Sequence, residues 1–261
     1  MIATTGLEPT KQTLEHAKHL ACRLNIPLVQ RRDLSLEKIR ECYQADEILV
    51  VSAKGARVEA RGRQPFFFHP NTAAFRIKRL ERGDTDTMLS ACQIRPGDAV
   101  LDATLGLGAD SIVFAHAVGK NGRVVGVESQ KVIAILVEDG FRHWKDASDA
   151  LVKAMKRVEV IAEHHLEVLR KLPDRSFDVV YFDPMFVSGV AASTGIASLR
   201  SYANEEELSA ETVAEALRVA KRRVVLKEGQ TGTLHEKFGF TPYRKKEHQV
   251  VYSYRETAGG E

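Results

Sequence analysis

Between residues 12 and 24, Leu14, Ala17, Leu20, Ala21 and Leu24 recur at helical spacing, and Asn25-Ile-Pro27 stops the pattern. "PLVQ" after it reads as a short strand. Ser35 is a plausible N-cap for "SLEKIRECYQA", where Leu36, Ile39 and Tyr43 share a face. "EILVVSAKGARVEARG" predicts a hairpin turning near Lys54-Gly55. These elements form a small α/β module over residues 1–70. Phe66, Phe67 and Phe68 cannot all share one strand face, and a packing seam against the rest of the chain is the simpler reading over a base-stacking platform. Asn71 or Thr72 caps a helix running to about Arg82, and "DTDTMLSACQI" predicts another before Pro96-Gly97.

From Asp98 the pattern alternates. "DAVLDA", "GRVVGVES", "VEVIAE", "FDVVYFDP" and "KRRVVLKEG" are strand-like. "ADSIVFAHAVG", "KVIAILVEDGFRHW", "LEVLRKL" and "NEEELSAETVAEALRVA" are helical and lie between them, and a hairpin-like segment ends the chain. This order predicts a doubly wound, mostly parallel α/β sheet of Rossmann-like type over residues 71–261.

Composition changes this picture little. The 261 residues are 44% hydrophobic and 28% charged, as in ordinary globular chains. Apolar runs are strand-sized, so no membrane span is expected, and without a signal pattern the expected location is the cytoplasm. Cys22, Cys42 and Cys92 lack metal or disulfide spacing and are read as core residues. A net charge of +3 does not announce nucleic acid, although Arg76–Arg79, Lys221–Arg223 and Arg244–Lys246 are local clusters that could touch phosphate.

The chemistry begins at "VLDATLGLGADS". Ligands of such sheets bind beyond the carboxyl ends of the strands, and Gly106 and Gly108 allow a sharp turn with close backbone approach. Glu128 ends the next strand, where a carboxylate can hold two ribose hydroxyls. Ser111 replaces the third glycine of the nicotinamide fingerprint. Asp102 before the loop is awkward for a pyrophosphate and suits a cationic ligand, which favours S-adenosylmethionine over a nicotinamide cofactor. Thr104 in the loop and Ser129 beside Glu128 belong to the same candidate donor set. After the third strand, Glu163 or His164 could meet the adenine amine.

"YFDPMF" ends the fourth strand. An acid, a proline and an aromatic in this order suit methylation of an exocyclic amine. The amine lone pair is delocalised into the ring, and Asp183 Oδ with the Pro184 carbonyl can accept both N–H groups and turn that lone pair toward the methyl. Phe186 can stack on the base. The small-residue stretch with Ser188 that follows reads as a loop able to order over substrate. The pairs His143-Trp144 and His164-His165 make poor chelates, because adjacent side chains diverge, so no metal is expected.

Together, "DATLGLGADS", "VES", "YFDPMF" and "RRVVLKEG" resemble the RsmJ family of 16S ribosomal RNA guanine-N2 methyltransferases, over roughly residues 66–230. The resemblance implies a class I methyltransferase fold and S-adenosylmethionine as cofactor. It implies that Asp102, Gly106, Gly108, Asp110 and Glu128 hold the donor, and that Asp183, Pro184, Met185 and Phe186 hold the base. Lys227 would lie near the acceptor, and the partner would be small-subunit ribosomal RNA. "HPNTAAFRIKRLERGD" departs from the glycine-rich basic segment expected before the donor loop, and the N-terminal module has no evident match. The alternatives are an NAD-dependent oxidoreductase and a catalytically inactive RNA-binding protein of the same fold.

Overall fold

The computed structural model describes residues 1–184, 208–243 and 250–258. Two sheets organise them. The first has strand order β1-β2-β3-β4: β1 (Ile2–Thr5) runs parallel to β2 (Glu47–Ser52), while β3 (Gly55–Ala60) and β4 (Phe66–Phe67) follow antiparallel. Helix α1 (Lys11–Leu24) packs on this sheet, and Ile39 of α2 (Leu36–Tyr43) joins Ile2, Ile48 and Val50 in a separate small cluster.

The expected strand at "PLVQ" is reduced to one bridge, Ala3 with Leu28, and the strand that completes the sheet is β1. Its four residues are all buried, so no inside–outside alternation marks it in the sequence. On α1 the buried stripe is Thr13, Ala17, Leu20, Ala21 and Leu24, leaving Leu14 exposed; Tyr43 is exposed at the end of α2. Cys22 and Cys42 are also exposed, which corrects the core reading for two of the three cysteines, because each sits on the outward side of a helix whose other face is covered.

Seven strands form the second sheet, in the order β10-β11-β9-β8-β5-β6-β7. They are β5 (Ala99–Asp102), β6 (Arg123–Glu128), β7 (Val158–Ala162), β8 (Phe177–Phe182), β9 (Ala220–Gly229), β10 (Thr241–Pro242) and β11 (Val250–Glu256). The five from β7 to β9 are mutually parallel, and β11 lies antiparallel between β9 and β10. Between them run α5 (Ala109–Val118), α6 (Lys131–His143), α7 (Asp149–Met155), α8 (His165–Lys171), α9 (Ala210–Val219) and α10 (Leu234–Lys237). Helices α3 (Ala73–Glu81) and α4 (Thr87–Cys92) precede the sheet, and Asp86 caps α4 through the Leu89 N–H. No helix among the described residues is long and apolar enough to cross a membrane.

The two sheets share one hydrophobic core. Phe66 and Phe68 are buried and Phe67, between them, is exposed, as strand alternation requires. Phe68 meets Phe141 and Trp144 edge-on at 5.3 and 5.7 Å between ring centroids. It comes so close to α6 that a Cβ at Gly140 would sit 2.1 Å from its ring. The phenylalanine run is therefore the seam between the first sheet and α6.

Strand β5 is the switch point. The chain leaves it through α5 toward β6 and β7, then returns through α8 to β8 on the other side. In such sheets the binding crevice is expected beyond the carboxyl ends of the strands at the switch point, here β5 and β8, and the candidate residues lie at this end of the sheet.

Candidate active site

The donor-type loop is braced from within. Beyond Asp102 the chain turns through Gly106 (φ 51°) and Gly108 (φ 75°) and enters α5. A Cβ at Gly108 would lie 2.4 Å from Phe141 Cζ, so both the left-handed backbone and the packing of α6 demand glycine here. Asp102 is 1% exposed: its Oδ1 accepts the Thr104 N–H at 3.2 Å and its Oδ2 accepts the Ser111 hydroxyl at 2.6 Å. The serine in place of a third glycine is thus the partner of the aspartate that opens the loop. Glu128 Oε2 accepts the Gly106 N–H at 3.1 Å and Oε1 accepts the Gln130 N–H at 2.8 Å. Ser129 Oγ lies at 3.5 Å from the same Oε1. Oε2, with one donor on it, retains a lone pair for a ligand hydroxyl.

Burial pushes the Asp102 carboxyl up to about 7, against the Ser111 hydrogen bond, with the nearby Asp110 charge adding to the rise. The folded value lies above the unfolded one. The stabilisation from holding Asp102 protonated is therefore complete below about pH 4 and is lost as pH rises to about 7. Asp102→Asn, which cannot ionise, should flatten that part of the stability curve. Thermal midpoints of the two proteins across this range provide the check, and parallel curves would show that Asp102 does not titrate there.

At the acceptor edge the backbone N–H of Asp183 donates to Thr104 Oγ1 at 2.6 Å, tying the "DPMF" strand end directly to the donor-type loop. Asp183 Oδ2 meets Lys227 Nζ of β9 at 2.6 Å, and the same ammonium lies 3.1 Å from Asp110 Oδ2. That Asp110 oxygen also accepts the Tyr181 hydroxyl at 2.8 Å, while Oδ1 pairs with Arg76 of α3. Arg76 turns its Nε to Asp86 at 2.8 Å. Lys227 and Arg76 hold Asp110 well below the usual carboxylate range despite its burial. Burial holds Asp183 above its ordinary value, with Lys227 pulling the other way. Three carboxylates face two cations here, and that surplus of negative charge suits a positively charged ligand.

Asp102, Thr104, Gly106, Gly108, Glu128, Ser129, Asp183, Pro184 and Lys227 therefore gather at one edge. Asp110 gathers there too, with its carboxylate engaged by Arg76, Tyr181 and Lys227. His164 caps α8, its Nδ1 accepting the Leu166 N–H at 3.3 Å, and its ring lies 4.2 Å from that of His165. Glu163 pairs with Lys171. Met185, Phe186, Ser188 and the small-residue stretch, and the Arg244–Lys246 cluster, lie outside the described residues.

Two of the basic clusters are largely engaged in ion pairs. Arg76 serves Asp110 and Asp86, and Arg79 pairs with Asp84. Arg222 pairs with Asp98 at the amino end of β5, the end opposite the crevice, and Arg223 with Glu256. Sequence reasoning missed Arg76 and Tyr181 as site residues. Tyr181 precedes Asp183 by two positions and so shares its strand face, a signal that was available.

The family described as "Putative SAM-dependent methyltransferase" matches residues 37–250. The chain belongs to that family. Its cofactor is S-adenosylmethionine, and its fold is the Rossmann-like fold of class I methyltransferases, as the sequence motifs implied. Among the relatives of this methyltransferase, "Uncharacterized protein YpiP" of Bacillus subtilis (strain 168) is 40% identical over 243 residues, covering 93% of this chain and 94% of the relative. "Ribosomal RNA small subunit methyltransferase J" of Coxiella burnetii (strain RSA 331 / Henzerling II) is 31% identical over 227 residues, covering 84% and 83%. The solved structure of the SAM-dependent methyltransferase NGO1261 from Neisseria gonorrhoeae superposes over 100% of this chain and 98% of its own. Its TM-score is 0.64 at 19% identity.

The residues present fit that cofactor. A lone pair on Glu128 Oε2 suits a ribose hydroxyl, and the acidic surplus suits a sulfonium. The cations nearest the loop, Arg76 and Lys227, are both paired with Asp110.

Proposed function

We propose that this methyltransferase modifies an exocyclic amine of a base in RNA, specifically guanine N2 of small-subunit ribosomal RNA. The observation that carries this reading is the 2.6 Å hydrogen bond from Asp183 N–H to Thr104 Oγ1, which sets the amine-type motif against the donor-type loop. The methyltransferase J relatives, whose printed name specifies small-subunit ribosomal RNA, support the choice of RNA.

Bound S-adenosylmethionine supplies an electrophilic methyl on its sulfonium. The chain's own residues present the nucleophile. Asp183 Oδ and the Pro184 carbonyl accept the two amine N–H groups, and Phe186 stacks on the base. As the N–C bond forms the S–C bond breaks, and the amine proton leaves to Asp183 or to water. The raised affinity of Asp183 for a proton suits it to this step. A paired guanine must first leave its helix.

The test is transfer of a labelled methyl from S-adenosylmethionine to small ribosomal subunits, and to their naked RNA, from cells lacking this protein. The expected product after nucleoside digestion is N2-methylguanosine, identified by mass. Label in a different nucleoside would overturn the guanine assignment, and no label in RNA from a protein that binds the donor would overturn RNA as substrate.

A further inference from the structure

Away from the acceptor edge, α1 and α6 bring together three side chains that the methyl-transfer reading does not use. His16 Nε2 lies 2.6 Å from Asp139 Oδ1, and His143 Nδ1 lies 3.0 Å from that same oxygen. One ligand-type atom from each residue falls within 4.8 Å of the others. Asp139 and His143 are four residues apart and so lie on one face of α6, while His16 approaches from α1 of the N-terminal module.

We infer that His16, Asp139 and His143 form a structural binding site for a divalent cation of the zinc type, clamping α1 to α6. Two imidazoles and a carboxylate are a borderline donor set that suits zinc and its first-row neighbours better than calcium or magnesium. Asp139 is buried, and among the described residues no arginine or lysine is paired with its carboxylate. The two arginines on these helix faces, Arg23 and Arg142, both go to the adjacent Glu138. The buried negative charge is left to the histidines, and both bring a nitrogen to the same Oδ1, with His143 Nδ1 also 3.0 Å from the Asp139 backbone carbonyl. An ion in their midst would meet that charge directly.

His143 is 59% exposed and provides a route of entry, with water as the remaining ligand. The Asp139–His143 face looks to α1, and Phe141, between those two residues on α6, reaches Gly108 of the donor-type loop. Clamping α6 would therefore steady a helix against which the donor-type loop rests. Neither the pair His143-Trp144 nor any local spacing exposes this group, because His16 and Asp139 are 123 positions apart.

The experiment titrates the full-length, chelator-treated chain with Co2+, read by its visible d–d absorption, and with Zn2+ by competition against a chromophoric chelator. The expected result is one ion per chain, bound with a dissociation constant of about a micromolar or tighter. His16→Ala and His143→Ala should each weaken binding by about tenfold or more. Zn2+ should raise the thermal midpoint of the wild type by more than that of His143→Ala at the same metal concentration. Because His143 is exposed, that variant is expected to fold. Binding only at about millimolar metal, or equal affinity in His143→Ala and wild type, would overturn the site. The readouts involve neither methyl donor nor RNA, so they stand or fall apart from the proposed reaction.

Discussion

Asp183→Ala is expected to bind S-adenosylmethionine as the wild type does and to lose methyl transfer by about a hundredfold or more, the usual cost of removing an oriented hydrogen-bonding group from a reacting centre. The two effects separate because of where Asp183 sits. Its contact with the donor-type loop is through its backbone N–H to Thr104, which alanine keeps. Its carboxylate reaches Lys227, and Lys227 retains Asp110 at 3.1 Å when that carboxylate is gone. The fold should therefore survive. Calorimetric titration with S-adenosylmethionine and single-turnover transfer, on the same preparation, make the measurement. Full transfer in the variant would remove Asp183 from the reaction. A parallel loss of donor binding would reassign it to the donor side.

How far the sequence discloses this arrangement depends on how local each feature is. The alternation of strand-like and helical runs from Asp98 onward is a local pattern, and it predicts β5 to β9 and, of the described helices between them, all but α7, whose seven residues it passes over. The loop glycines, Glu128 and "YFDPMF" are legible for a related reason. In a doubly wound sheet every strand ends at the same edge, so a motif at a strand end is already located in space. The buried ion-pair network is of another kind. Arg76 and Asp110 are 34 positions apart, and Lys227 and Asp183 are 44. Nothing in the string "RIKRLERG" separates Arg76, which turns inward to two carboxylates, from Arg79, which pairs at the surface. Strand β1 fails for a further reason. It is too short and too uniformly buried to show a period, and only its neighbour β2 reveals it.

Lys227 tests the inner network most sharply. In Lys227→Met the aliphatic stem is roughly kept and the charge removed. Asp110 still has Arg76 and Tyr181, but Asp183 loses the cation that lay 2.6 Å away and gains nothing in exchange. Removing one partner of a buried ion pair leaves an uncompensated charge, and the expected loss is about 3 kcal/mol, or roughly 10 °C in thermal midpoint for a chain of this size. With Lys227 gone, burial and the neighbouring Asp110 charge raise the affinity of Asp183 for protons, and Arg76 alone still opposes them. The folded-state value then stands still higher above the unfolded one. The variant's deficit should therefore be small in acid, where Asp183 is protonated in both states, and should grow as pH rises above the unfolded carboxylate range. If loss of the pair is the cause, combining Lys227→Met with Asp183→Asn removes the unpaired charge and should recover much of the stability, so the two substitutions will not be additive. A deficit in Lys227→Met that is flat with pH, and additive with Asp183→Asn, would mean that Lys227 contributes packing alone.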